Sequence, residues 1–326
     1  MNASGQRRML VVSKRLPGTT IYNADTHEPL GSAQMEISPH EAAFSADGQY
    51  AYVPIYSDSG VGKPGINGHV LHFLRASDGR IIGSLDTEQY KRPHGIAVGR
   101  RSGLLYLTAE LAESVILVDP NRQEIIGAIP TGSSTSHMLA VNRDETKAYV
   151  SNVRAKTISV LDLQSRQLID VIHTNGENQR MVMSPDERWF VTNLGPAGKV
   201  AFYRTSDHQL DFAVSIEGIP FVSKFSADGQ FLYTAGFAGT RCNAVWKIAV
   251  AQGKIAAHLS DGLGEDVGSL EVNPFTRTVY LSDQPTNKII EIDPETWQVI
   301  RTISTEPSPD AMAFAVVRSA ADSFDA

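Results

Sequence analysis

One cysteine, Cys242, stands in a chain of 326 residues. An internal disulfide is therefore impossible, and so is a zinc-finger pattern. No apolar run approaches the roughly 18 residues that a membrane-spanning helix requires, so no membrane partner is expected. Positive charge is also scarce: 29 Lys and Arg against 36 Asp and Glu give a formal net charge of −7. A nucleic-acid partner would need a basic stripe, and none is expected here. Neither a P-loop nor a dinucleotide-binding glycine motif follows a strand in a strand–helix context, and no serine sits in a G-x-S-x-G elbow. The first apolar strand begins by about Arg7, which leaves no room for the apolar stretch of a signal peptide. The expected location is the cytoplasm, or an exported compartment if an upstream signal peptide has been removed.

What the chain has in abundance is short apolar runs. His137–Glu177 reads HMLAVNRDETKAYVSNVRAKTISVLDLQSRQLIDVIHTNGE, four such runs separated by turn-rich segments. Runs of this length, β-branched or aromatic and bounded by Asn, Asp and Lys, read as strands joined by tight turns. Four strands in about 40 residues make a meander too small to bury its own faces. The unit needs neighbours, and they are copies. PHEAAFSADGQYAYV, PHGIAVGRRSGLLYL, SHMLAVNRDETKAYV, NQRMVMSPDERWFVT, PFVSKFSADGQFLYT and VGSLEVNPFTRTVYLS align on a first strand and the turn after it. Equivalent positions are then 40, 94, 137, 179, 221, 268 and 310, a spacing of 42 to 54 residues. The glycine-rich insertion Ser57–His69 accounts for the longest step.

The ends of the chain say how the array closes. The N-terminal segment holds strands two, three and four of a unit, whereas the C-terminal DAMAFAVV is a first strand with nothing after it. Joined, they complete a seventh unit and remove two open sheet edges. The sequence thus predicts an all-β, seven-bladed propeller of four-stranded blades in one domain, 1–326. The closing blade combines 7–38 with 310–317, and the others are 39–92, 93–135, 136–177, 178–218, 219–266 and 267–309. SPDERWFVTN and ETKAYVSNVRAKTISVLDL resemble the repeat of the YVTN family of seven-bladed propellers, which includes lactonase-like enzymes and surface-layer repeats. The resemblance runs over nearly the whole chain and implies the fold. It carries over no catalytic residue, because no motif matches residue by residue.

A propeller binds small molecules where loops converge on the mouth of its central channel, at the start of each innermost strand. Those positions read Asp310, His40, His94, His137, Gln179, Phe221 and Gly268. With nine histidines in 326 residues, three at seven chosen positions arise by chance on the order of once in a thousand. Three imidazoles on adjacent blades suit a divalent transition metal (Zn, Mn, Fe, Ni or Cu) with Asp310 as a fourth ligand. Histidines at a mouth also simply hydrogen-bond loop carbonyls, and that alternative stands beside the metal. Arg15, Arg154 and Arg180 are placed to clamp a carboxylate, and Glu110 to act as a general base. The insertion Ser57–His69 is long enough to cover the mouth as a lid. The expected function is metal-assisted lyase or lactone-hydrolase chemistry on a small carboxylated or lactone-like ligand at the mouth. The alternative is a YVTN-type scaffold that binds without catalysing.

Overall fold

The structure, a computed structural model, describes residues 5–317. They form seven antiparallel sheets of four strands each, arranged as blades around a central channel. We number the blades from the one that holds the N-terminal strand. Blade 1 closes the ring as the half-units predict: Pro309–Val317 is its innermost strand and pairs with Gln6–Ser13, from Gln6 opposite Val317 to Ser13 opposite Pro309. Blades 2 to 7 then follow in chain order, each with its first strand innermost.

The burial pattern follows from each strand's place in its blade. Second and third strands are covered on both faces by neighbouring blades, so they read as continuous apolar runs; Lys147–Asn152 and Thr157–Asp162 are buried almost throughout. Outer strands meet solvent on one face, and Ile81–Asp86 alternates accordingly. The core therefore lies between blades. Leu10, Val12 and Ile21 of blade 1 pack on Val53, Ile55 and Leu74 of blade 2, while Met9, Val11 and Tyr22 pack on Tyr280 and Ile289 of blade 7. At the start of six innermost strands the ladder slips by a bulge, between Ser136 and Met138 in blade 4 and at the matching residues of blades 1, 3, 5, 6 and 7. Blade 2 keeps only the bridge Pro39–Ile55 before its short innermost strand, Ala43–Phe44. The end of the channel with the bulges is called the upper mouth.

Candidate functional site at the upper mouth

A bulge removes a residue from the pairing and re-aims its side chain. His137 is such a residue: Ser136 pairs with Asn152, Met138 with Ser151, and His137 with nothing. His94 lies in the equivalent gap of blade 3. Hydroxyls on the second strands replace the lost ladder bonds. Thr108 Oγ1 accepts the Gly95 N–H at 2.9 Å and donates to the His137 carbonyl at 2.7 Å. Ser151 Oγ accepts the Met138 N–H at 3.1 Å and donates to the Gln179 carbonyl at 3.3 Å. Each hydroxyl thus ties its own bulge to that of the next blade. This explains the small hydroxylated residue in YLTAE and YVSN; in FVTN, Thr192 donates instead to the Arg180 carbonyl of its own blade at 2.9 Å.

The three histidines are brought together. The His94 and His137 rings stack with centroids 4.0 Å apart, and the His40 and His94 rings meet edge-on at 5.5 Å. Tyr56 stands over them, 4.4 Å from His94 and 4.9 Å from His40. Burial, reinforced by neighbouring imidazoles and the Lys14 and Arg180 charges, holds His40 and His94 well below the usual histidine range. Burial, then Arg180 and Lys14, pushes His137 down to about 3. All three are neutral at neutral pH. The Nδ1 atoms of His94 and His137 are buried and have no hydrogen-bond partner among the described residues. His40 is held by the Ser57 backbone.

The remaining candidates separate. Arg180 reaches across the channel from blade 5 to an ion pair with Glu41 of blade 2, and its guanidinium lies 5.6 Å from the Phe221 ring. Burial pushes the Glu41 carboxyl up, and Arg180 only partly offsets this. Asp310 is buried and ion-paired: Lys14 Nζ lies 2.6 Å from its Oδ2, which accepts no hydrogen bond among the described residues, and its Oδ1 accepts Gln284 Nε2 at 3.3 Å. Glu110 is occupied by protein partners: it accepts the Tyr56 hydroxyl, the Gly62 N–H at 3.1 Å and Arg92 Nη1 at 3.2 Å. Neither carboxylate bonds an imidazole. Arg154 is exposed and holds the insertion, donating to the Val61 carbonyl at 3.4 Å. Arg15 is exposed and forms no ion pair among the described residues. The five channel candidates are therefore His40, His94, His137, Arg180 and Asp310.

Sequence reasoning missed Arg92 and left Tyr56 without a role. The strand-end register is the signal that could have found Tyr56. Lys14, Tyr56, Glu110, Val153 and Gln284 each follow the last paired residue of a second strand. Four of these five backbone amides donate to the residue preceding or opening the innermost strand's ladder, as Glu110 does to Arg92 and Val153 to Thr135. Asn152, which resembles Glu110 in ending its strand, lies one position earlier in this register. Asn152 is instead a buried structural residue, bonded to Ser136, Thr157 and Ser159.

No protein-family profile matches the chain, and no curated protein matches it by sequence. Solved structures do. A Bacteroides uniformis protein provisionally assigned as a 6-phosphogluconolactonase superposes with a TM-score of 0.76 at 13% identity, covering 95% of this chain and 100% of its own. The dihydro-heme d1 dehydrogenase NirN gives 0.69 at 14%, over 95% of this chain and 75% of that one. AztD from Citrobacter koseri gives 0.67 at 14%, over 95% and 98%. At such identities the likeness shows the fold alone: the chain is a seven-bladed β-propeller.

Proposed function

We propose that this propeller is a metal-assisted enzyme acting on a small carboxylated or lactone-like molecule at its upper mouth, by lyase or hydrolase chemistry. The observation that carries the reading is the stacked pair His94 and His137, buried with unpartnered Nδ1 atoms. A buried polar atom without a hydrogen bond costs about 1–3 kcal/mol, and two in contact, beside a third histidine, suit a ligand that supplies what the protein withholds. Neutral imidazole is also the form that donates a lone pair to a metal.

His40, His94 and His137 would hold a divalent transition ion. Their ligand atoms are not among the groups lying within 4.8 Å of one another, so binding requires the rings to turn. A bound ion of this kind polarises a carbonyl or enolate oxygen, or acidifies a water. Arg180, whose Nε–H is buried and without a partner among the described residues, orients a carboxylate of the ligand. Asp310 joins only if its pair with Lys14 opens. The Tyr56 ring, against the imidazoles, keeps water from them. The likeness to a provisionally assigned lactonase agrees with a lactone-like substrate but carries only the fold.

A second reading, a binding propeller without catalysis, is favoured by one feature: the Arg180–Glu41 pair already spans the channel. Elemental analysis of untagged protein, before and after dialysis against Zn, Mn and Ni, decides between them. Near-stoichiometric metal is expected in the wild type, lost in H94A and H137A. Absence of retained metal under all three conditions would leave the binding propeller as the function.

A further inference from the structure

The insertion Ser57–His69 and the histidine pocket share a set of buried contacts that the proposed chemistry does not use. At their centre is the ion pair of Arg92 with Glu110, whose side chains are 4% and 1% exposed. Arg92 sits at φ 58°, the left-handed turn that Thr135 and Ser308 also take before their innermost strands. Its guanidinium spends every arm on one task. Nε donates to Asn67 Oδ1 at 2.6 Å, Nη1 to Glu110 Oε1, and Nη2 approaches Ser59 Oγ at 3.5 Å. Two of these partners belong to the insertion. Glu110 Oε1 also accepts the Gly62 N–H, at the insertion's tip, while Oε2 accepts the Tyr56 hydroxyl. Gly62 suits this place: its φ is 63°, and a Cβ would have to push aside the exposed Arg154 side chain. One carboxylate therefore bonds the tip of the insertion through one oxygen and, through the other, the ring that stands against His40 and His94.

We propose that Tyr56 is a positioning residue of the histidine pocket and that the Arg92–Glu110 pair couples its orientation to the seating of the insertion on blade 3. Glu110 is thereby an anchor, with both oxygens occupied, in place of the general base its position suggested. When the insertion is seated, Glu110 is fully bonded and the Tyr56 ring is pinned edge-on to the imidazoles. When the insertion lifts, Glu110 loses the Gly62 amide, Arg92 loses Asn67 and Ser59, and the ring is released. Access to the pocket and the geometry of its imidazoles then change together. The inference rests on the reading of this pocket as the functional site.

The test uses metal-free full-length protein labelled with 15N-histidine. Long-range 1H–15N spectra report the tautomer and line shape of each imidazole, and hydrogen exchange reports the Gly62 amide. Two variants are compared: E110Q, which keeps the shape and removes the charge, and Y56F, which keeps the ring and removes the hydroxyl. The expected result in E110Q is at least about tenfold faster exchange at Gly62. His40 and His94 signals should shift or broaden in both variants, with His208 and His258, on the outer parts of blades 5 and 6, unchanged. A residue with only a stabilising role would lower the melting temperature without this selective response. His40 and His94 signals that coincide with wild type in both variants would overturn the proposal. Should E110Q fail to fold, Y56F alone decides it, since only a hydroxyl is lost. Adding Zn2+ to the wild-type sample reads the functional proposal separately. Imidazoles that ignore zinc but respond to Y56F would remove the metal and keep the positioning role.

Discussion

The two ends of the channel are built from the same seven strands and differ in almost every respect. At the lower end the innermost strands run into tight turns that repeat from blade to blade. Ser45 with Asp47, Ser184 with Asp186 and Ser226 with Asp228 close the same side-chain hydrogen bond. Gly48, Gly103 and Gly229 take the left-handed position, and Glu145 and Glu187 take it in blades 4 and 5. There each Glu reaches the preceding blade: Glu145 accepts the Arg101 and Ser102 amides at 2.6 and 3.1 Å, and Glu187 accepts the Arg143 amide. Around these turns lies an open cavity of about 490 Å³. At the upper end the ladders bulge, no two blades present the same residue set, and charges and imidazoles are buried. The lower end shows what a repeat needs in order to stack, and the upper end shows where this chain departs from its own repeat. Departures that leave polar groups buried cost stability, so they are the better guide to function.

The comparison implies that substitutions cost most at the upper mouth. The largest effect is expected for the Arg180–Glu41 pair, both side chains 11% exposed. Removing one partner, as in E41A or R180A, strands a buried charge and should lower stability by about 3–5 kcal/mol, whereas the double variant E41L/R180M should recover most of it. Urea titration of the three proteins checks this. A double variant as weak as either single one would break the claim that the cost is an unpaired charge.

An intermediate effect is expected from acid. His137 is held at about 3 when folded and near 6.5 when unfolded, so the unfolded chain takes up the proton first as pH falls. Stability is full above about 6.5 and is lost progressively as pH drops from there toward the folded value. Between pH 7 and pH 5 one such histidine contributes about 2 kcal/mol of destabilisation. The wild type should therefore lose about that much more than H137N over this interval, measured by chemical denaturation at each pH. Equal losses would mean that the imidazole titrates normally.

The smallest effect belongs to the lower end. Glu145 is partly exposed, and its bonds fasten one turn to the next without burying a charge. E145Q should cost about 1 kcal/mol, read as a shift of one or two degrees in melting temperature, with histidine spectra unchanged. A larger loss than that of E41A would reverse the ranking of the two ends.

Blade number, ring closure and the shared register of His40, His94 and His137 were all legible in the chain, because each rests on local pattern. A strand alternates or runs apolar according to its place in the blade. A turn declares itself by its Asp, Gly or Ser, and half-units at the two ends state how the ring closes. The fate of the polar side chains was not legible, and the reason is geometric. Arg180 finds Glu41 from 139 positions away, across the channel, where no periodicity links them. Arg92 shares its left-handed turn with Thr135 and Ser308 of blades 4 and 1, but its guanidinium bonds an insertion that has no counterpart in the other blades. Glu110 looked like a base at the mouth because its strand ends there. The structure gives both its oxygens to Tyr56, Arg92 and Gly62. A strand's period places a side chain on a face, but at a bulge the period lapses. Which partner each side chain meets there is settled only when seven blades converge on one axis.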